Sequence, residues 1–220
     1  MWGSGGKMGL TAILSRMALV LAFVLSASTA FAQIKIVALG DSQIKGKGVA
    51  EKDAYPAKLE RALKARGHNV VVANAGSNGD TTAGVLNRLD ASVPPGTQIV
   101  ILNAGANDII LFGVSRETVA ENRRKIVERL RARKIEVLTF GVGSGGGIGP
   151  PPPGARESLE AMGALTTGGM QGAMFDDPGK HVEKSRKGTE WHLNEAGYDV
   201  VVAQTLPMVE ELIARTRTGR

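Results

Sequence analysis

The stretch "IKIVALGDSQ", residues 34–43, decides the fold. Its first six residues form a short apolar run, and its last four are small or polar. An apolar run of this length that ends at a turn signal is typical of a buried strand. We therefore predict a strand at residues 34–39, followed directly by a turn that contains "GDSQ".

Strand and helix patterns alternate along the rest of the chain. Apolar residues recur every three or four positions in the helical segments, and Pro56 suits the first turn of one of them. Helices are predicted at residues 55–67, at residues 80–90 with Asp80 as N-cap, at residues 116–133 after the cap Ser115, and at residues 196–215. Further strands are predicted in the segments 69–76, 97–108 and 134–142. This alternation predicts an α/β fold with a parallel sheet covered on both faces.

The first 32 residues are predicted to lie outside this domain. Two basic residues precede an apolar run at residues 17–25, which is too short to span a bilayer, and Ala30 and Ala32 then occupy A-x-A positions. This is the pattern of a secretory signal peptide. We expect residues 1–32 to be a signal peptide. Residues 33–220 are expected to form one exported domain, periplasmic or secreted, without stable membrane insertion after cleavage.

The composition does not favour a nucleic-acid partner. The formal net charge is +6, and two of the basic residues belong to the predicted signal peptide. The most basic stretch, residues 123–134, carries Ile126, Val127 and Leu130 at helical spacing, which predicts a solvated amphipathic helix face. The chain contains no cysteine, so its core must provide stability without disulfides. We expect a monomer.

Three further motifs do not fit the sites that they resemble. "GVGSGG", residues 141–146, continues into "IGPPPPG", which cannot begin the helix that a dinucleotide site requires. "GDSQIKGKG", residues 40–48, has the wrong glycine spacing for a phosphate-binding loop, and "GDSQI" lacks the last glycine of a G-x-S-x-G turn. The three histidines show no metal-binding spacing. We predict neither a metal nor an organic cofactor.

Small polar segments follow the first three predicted strands, at the edge where open α/β sheets bind ligands. Ser42 could act there as a nucleophile, with His192 as its base. The backbone N–H of Gly79 and the side chain of Asn107 could stabilise the oxyanion that forms. Taken singly, each residue also fits an ordinary role in a turn, and only their joint placement favours an acyl-transfer site. The Gly/Pro-rich residues 143–172 are predicted to be a long loop that shapes the pocket.

Four segments together resemble the sequence blocks of the SGNH (GDSL) hydrolases. They are "IVALGDSQ", "NAGSNGDTT", "LNAGAND" and "HLNEAGY", in the family's order and at its usual distances. The chain is similar in particular to the small exported esterases of the thioesterase I, lysophospholipase and arylesterase type. The resemblance implies a flavodoxin-like three-layer α/β/α sandwich.

By the same resemblance, Ser42 is the nucleophile and His192 the base. The N–H groups of Ser42 and Gly79, with the side chain of Asn107, would form the oxyanion hole. The implied reaction is the hydrolysis of a small acyl ester or thioester, a lysophospholipid or an acetylated sugar through an acyl-serine. Asp41 is expected to hold the turn in place.

The chain departs from the family at the residue that should orient the histidine. The last block usually reads D-x-x-H, and Thr189 stands three residues before His192. A threonine hydroxyl can accept the imidazole N–H bond, but it has no charge to stabilise the imidazolium. Catalysis could use a Ser–His dyad oriented by Thr189 or by a backbone carbonyl. An acid could instead come from Glu190, Asp176, Asp177 or Glu183, or the site could be degraded to that of a binding protein.

Overall fold

The computed structural model describes residues 32–141, 149–170 and 192–218. Within them, a five-stranded parallel sheet has the strand order β2-β1-β3-β4-β5. The strands are β1 (Ile34–Gly40), β2 (Val70–Gly76), β3 (Ile99–Asn103), β4 (Glu136–Thr139) and β5 (Leu165–Thr166). This order confirms the predicted flavodoxin-like α/β fold. Strand β2 lies on one side of β1, and β3, β4 and β5 follow on the other side. The crevice where ligands bind therefore lies at the carboxyl ends of β1 and β3.

Helices connect the strands and cover the sheet. They are α1 (Ser42–Lys45), α2 (Tyr55–Ala65), α3 (Thr82–Asn87), α4 (Leu89–Ser92), α5 (Ala106–Ile110), α6 (Arg116–Ala132), α7 (Ala155–Ala161) and α8 (Glu195–Thr218), with a 3-10 turn at Glu51–Asp53. Ser115 caps α6 as predicted, because its hydroxyl accepts the N–H of Thr118 at 3.1 Å. The last helix continues through Pro207.

Two apolar clusters lie on opposite faces of the sheet. Successive side chains of β1 point to opposite faces, so Ile36 and Ala38 belong to one cluster and Val37 and Leu39 to the other. The first cluster includes buried residues of α2 and α8, and the second includes buried residues of α3, α4 and α6. Coverage on both faces explains why β3 is buried along its whole length.

One prediction about a polar residue was wrong, and another was confirmed except at one residue. The cap of α3 is Thr81, whose hydroxyl accepts the N–H of Gly84 at 3.0 Å, whereas the carboxylate of Asp80 pairs with Arg88 at 2.7 Å. The basic face of α6 is not entirely solvated, because Arg123 is buried with 6% of its surface exposed. Arg123 lies four residues after Val119, on the apolar side of the helix.

The Gly/Pro-rich segment contains a short helix, which the sequence indicated near residues 157–165, and a strand that it did not indicate. Of residues 143–172, the range 149–170 is described, and it contains α7 and the edge strand β5. The sequence pattern missed β5 because two residues are too few to show a strand periodicity. Residues 1–31 of the predicted signal peptide and residues 142–146 of the glycine motif lie outside the described residues, so the signal peptide stays a prediction. None of the described helices is long and apolar enough to cross a membrane.

Candidate active site

Ser42 lies at the turn where β1 ends and α1 begins. Gly40 is required there because its φ is +154° and a Cβ atom would lie 1.9 Å from the carbonyl oxygen of Asn103. Asp41 caps α1: its carboxylate accepts the N–H of Gln43 at 3.0 Å and the side-chain amide of Asn103 at 2.9 Å. The turn therefore holds Ser42 at the carboxyl edge of the sheet.

Asp41 is itself almost fully buried. Burial raises the pKa of Asp41 to about 6, although its bonds to Gln43 and Asn103 and the nearby Arg123 cation each lower it. In the described part of the chain, its hydrogen bonds join α1 to β3 and do not reach His192. Asp41 thus has the structural role that the sequence predicted.

Gly79 and Asn107 belong to segments that leave the sheet beside Ser42. The parallel register aligns the last residue of β1 with the last residues of β2 and β3. Gly79 follows β2 by three residues, and Asn107 follows β3 by four. Gly79 has a φ of +73°, and no atom lies within 4 Å of the position of a Cβ there. Its backbone is therefore open to close approach by a ligand.

Direct hydrogen bonds fix the Asn107 segment to the Gly79 segment. The side-chain amide of Asn107 donates to the carbonyl oxygen of Asp80 at 2.8 Å. Asp108, which is buried, accepts both the N–H of Thr82 (2.9 Å) and its hydroxyl (2.5 Å). Because an amide nitrogen carries two hydrogens, the bonds found in the described residues leave one N–H of Asn107 for a ligand oxygen.

The structure brings His192 to Ser42 across 150 residues of sequence. Nε2 of His192 lies 2.8 Å from Oγ of Ser42, and both side chains are half-buried. This distance is a hydrogen bond in which a neutral imidazole can accept the serine proton. Ser42 and His192 therefore have the geometry of a nucleophile and its base.

Gln43 links the histidine segment to the serine turn, a role that sequence reasoning missed. It is buried, and its side-chain oxygen accepts the N–H of Leu193 at 3.4 Å. The hydroxyl of Tyr198, in α8, donates to the backbone carbonyl of Gln43 at 2.8 Å. Gln43 therefore contacts the chain directly after His192.

Thr189 and Glu190, the two predicted histidine-orienting residues, lie outside the described residues. The same holds for the other candidate acids, Asp176, Asp177 and Glu183. The identity of the group that orients His192 therefore stays a prediction.

Two arginines stabilise the strand ends that carry the site, and sequence reasoning did not single them out. Arg123 donates from Nε and Nη2 to the carbonyl of Ala104, after β3, and from Nη1 to that of Gly141, after β4. Burial lowers the pKa of Arg123 to about 10, and the nearby carboxylates of Asp108 and Asp41 oppose this. Arg88 makes comparable bonds at the ends of β1 and β2.

A cleft that is open to solvent lies between α6 and the proline-rich residues 149–152. Its walls include apolar side chains such as Ile109, Val119 and Leu159, with Arg116 and Arg123 also at its surface. Ser42, Gly79, Asn107 and His192 are not among its lining residues, although Ile109 follows Asn107 by two residues. No group of three acidic or histidine side chains that could hold a metal occurs among the described residues.

Comparison with known proteins identifies the family. A profile of the GDSL-like Lipase/Acylhydrolase family matches residues 38–200. The chain belongs to this family. Esterase TesA of Pseudomonas aeruginosa is 32% identical to this GDSL-family chain over 123 residues, and an arylesterase of Vibrio mimicus is 33% identical over 123. Each match covers 56% of this chain and 60% of the relative's own length.

Solved structures agree with the family assignment. The crystal structure of AlinE4, an SGNH-hydrolase family esterase, is 30% identical and superposes with a TM-score of 0.59. The match covers 81% of this chain and 96% of AlinE4. The crystal structure of TesA, at 21% identity and a TM-score of 0.64, shares the fold over 81% of this chain and 99% of that chain. The resemblance inferred from the four sequence blocks is confirmed.

Proposed function

We propose that this GDSL-family chain is a serine esterase that hydrolyses a small acyl ester or thioester through an acyl-serine. The observation that carries the proposal is the 2.8 Å distance between Oγ of Ser42 and Nε2 of His192. A serine hydroxyl needs an adjacent base to become a nucleophile, and this geometry supplies one. The esterase activity named for AlinE4 and for TesA supports the same reaction class.

In the proposed reaction, His192 accepts the proton of Ser42 while Oγ attacks the acyl carbonyl carbon. The resulting oxyanion is bound by the N–H groups of Ser42 and Gly79 and by the side-chain amide of Asn107, and each such donor is worth about 3 kcal/mol. The tetrahedral intermediate expels the alkoxide or thiolate, which takes the proton from His192. Water then attacks the acyl-serine by the same steps, releasing the acid and restoring Ser42.

The proposed substrate class follows from the reaction. A short acyl ester, a lysophospholipid and an acetylated sugar all carry a carbonyl that this reaction can use. In this proposal the enzyme acts after export, in the periplasm or outside the cell, as a monomer without a cofactor.

An organophosphonate ester tests the proposal directly. We expect it to form a covalent adduct on Ser42, detected by intact-mass spectrometry and peptide mapping. Ser42→Ala should lose both the adduct and the hydrolysis of p-nitrophenyl acetate. Ser77→Ala is the matched control, because this serine lies in the turn after β2 and should leave labelling intact. A wild-type protein that is neither labelled nor hydrolytic contradicts the proposal.

A second candidate is ligand binding without turnover on the same scaffold. It is favoured by one observation, the threonine at position 189 where the family usually has aspartate. In that case Thr189→Asp should raise esterase activity from near zero, because a carboxylate would select the productive tautomer of His192 and stabilise its cation. High activity in the wild-type protein would exclude this candidate.

A further inference from the structure

Arg88 lies between the serine turn and the turn after β2, at the junction of α3 and α4. Its Nη2 donates to the carbonyl oxygens of Gly40 (3.0 Å) and Ala75 (2.9 Å), near the ends of β1 and β2. Its Nε donates to the carboxylate of Asp80 at 2.7 Å, and its Nη1 to the hydroxyl of Ser92 at 2.8 Å. One guanidinium therefore joins two strand ends to the turn after β2.

The partners of Arg88 adjoin all three proposed oxyanion donors. Gly40 precedes Ser42 by two residues, and Asp80 directly follows Gly79. The carbonyl of Asp80 also accepts the side-chain amide of Asn107 at 2.8 Å. A continuous set of hydrogen bonds thus runs from the serine turn through Arg88 and Asp80 to the Asn107 side chain.

We infer that Arg88 is a positioning residue of the oxyanion hole. It sets the distance and orientation of the Gly79 N–H relative to the serine turn and to Asn107, so that the three donors converge on one oxygen. It acts through the carbonyls of Gly40 and Ala75 and through the carboxylate of Asp80, and it does not touch the substrate. This inference rests on the proposed esterase function.

The bonding pattern requires an arginine. Its planar guanidinium holds five N–H donors in a rigid fork, so one side chain can bind a carboxylate and two carbonyls in different directions. A lysine ammonium could pair with Asp80 but could not hold both carbonyls in the same geometry. Because a displacement of about 1 Å can lower catalysis about 100-fold, loss of this fork should affect turnover more than binding.

The first test is steady-state kinetics on p-nitrophenyl acetate. The value of kcat is calculated per Ser42 that reacts with the phosphonate. Arg88→Met should lower kcat about 100-fold and change KM less than about twofold, because the misplaced donors act mainly in the transition state. Arg88→Lys should give an intermediate kcat. Guanidinium ions should partly restore kcat in Arg88→Ala.

Arg129, in α6, offers a matched control because it contacts the segment that carries Arg88. It donates to the carbonyl of Leu86 at 3.3 Å and pairs with Asp90 at 2.6 Å, so it also contacts α3 and α4. It does not bond to β1, β2 or Asp80. Arg129→Met should therefore keep the wild-type kcat. The inference is overturned if kcat falls less than about threefold in Arg88→Met, or if kcat falls as much in Arg129→Met as in Arg88→Met.

A second measurement does not depend on turnover. Residual dipolar couplings report the orientation of the Gly79 N–H relative to the N–H groups of β1. This orientation should change in Arg88→Lys and Arg88→Met and stay constant in Arg129→Met. An unchanged Gly79 coupling overturns the inference. If the wild-type protein hydrolyses no ester, the proposed function fails on its own, and the couplings still decide the role of Arg88.

Discussion

The side chain of Asp41, in the turn before Ser42, both accepts hydrogen bonds and is buried. The first favours its ionised form, and the second favours its neutral form. Capping α1 and holding Asn103 both require a hydrogen-bond acceptor, which an ionised carboxylate provides best. Burial opposes ionisation and is the dominant cause of the raised pKa of about 6. The carboxyl therefore titrates between its ordinary range and neutrality in the folded protein.

The pH dependence of stability should report this titration. A folded-state pKa raised above the unfolded value contributes stability that is fully present below about pH 4 and is lost as the pH rises through about 6. Asp41→Asn removes the titration while keeping an acceptor. Relative to this variant, the wild-type free energy of unfolding should fall by up to about 3 kcal/mol from pH 4 to pH 7. Urea unfolding at both pH values measures the difference, and a difference that does not change with pH contradicts the prediction.

At the scale of secondary structure, local patterns predicted the elements but not the bonds between them. Strand β1 and helix α6 were predictable because their apolar runs and caps lie within a few residues of one another. The pairing of Asp80 with Arg88 was not, because a carboxylate before a helix is usually a cap and eight residues separate the partners. The Ser42–His192 contact was predicted from the joint placement of the polar segments and from the resemblance to the family.

The burial of Arg123 could have been predicted from its position in α6, although the many basic residues around it make that position hard to notice. It follows Val119 by four residues and precedes Val127 by four, so it occupies the apolar stripe of α6. A basic residue within an apolar stripe indicates a buried cation that needs acceptors. The sequence could not show that these acceptors are the carbonyls of Ala104 and Gly141.

Replacing Arg123 should weaken the ends of β3 and β4. Arg123→Met leaves the carbonyls of Ala104 and Gly141 without their cationic donor, which should cost about 3 kcal/mol of the free energy of unfolding. Arg124→Met is the control on the neighbouring position, because Arg124 pairs with Glu121 and Glu128 on the exposed side of α6. Its urea midpoint should match that of the wild-type protein. If Arg123→Met and Arg124→Met unfold at the same urea midpoint, Arg123 does not stabilise the strand ends.

On the scale of the whole molecule, apolar surface is distributed unevenly. Among the described residues, the large hydrophobic side chains that are mostly exposed are Ile110, Leu111 and Phe112, at 61%, 61% and 62%. These three begin three residues after Asn107, at the active-site edge. An exposed apolar cluster at this place is available to contact the acyl or alcohol chain of a substrate.

Removing this cluster should change substrate preference without changing stability. In the double variant Leu111→Ser and Phe112→Ser, the free energy of unfolding should stay within about 0.5 kcal/mol of the wild-type value, because both side chains are mostly exposed. Each buried methylene of a substrate contributes about 0.8 kcal/mol, so loss of contact with two methylenes should lower kcat/KM about tenfold. This loss should appear with p-nitrophenyl octanoate and not with p-nitrophenyl acetate, whose acyl group is too short to reach the cluster. Equal losses on the two esters would instead place Leu111 and Phe112 in the support of Asn107, because a displaced oxyanion donor slows every ester alike.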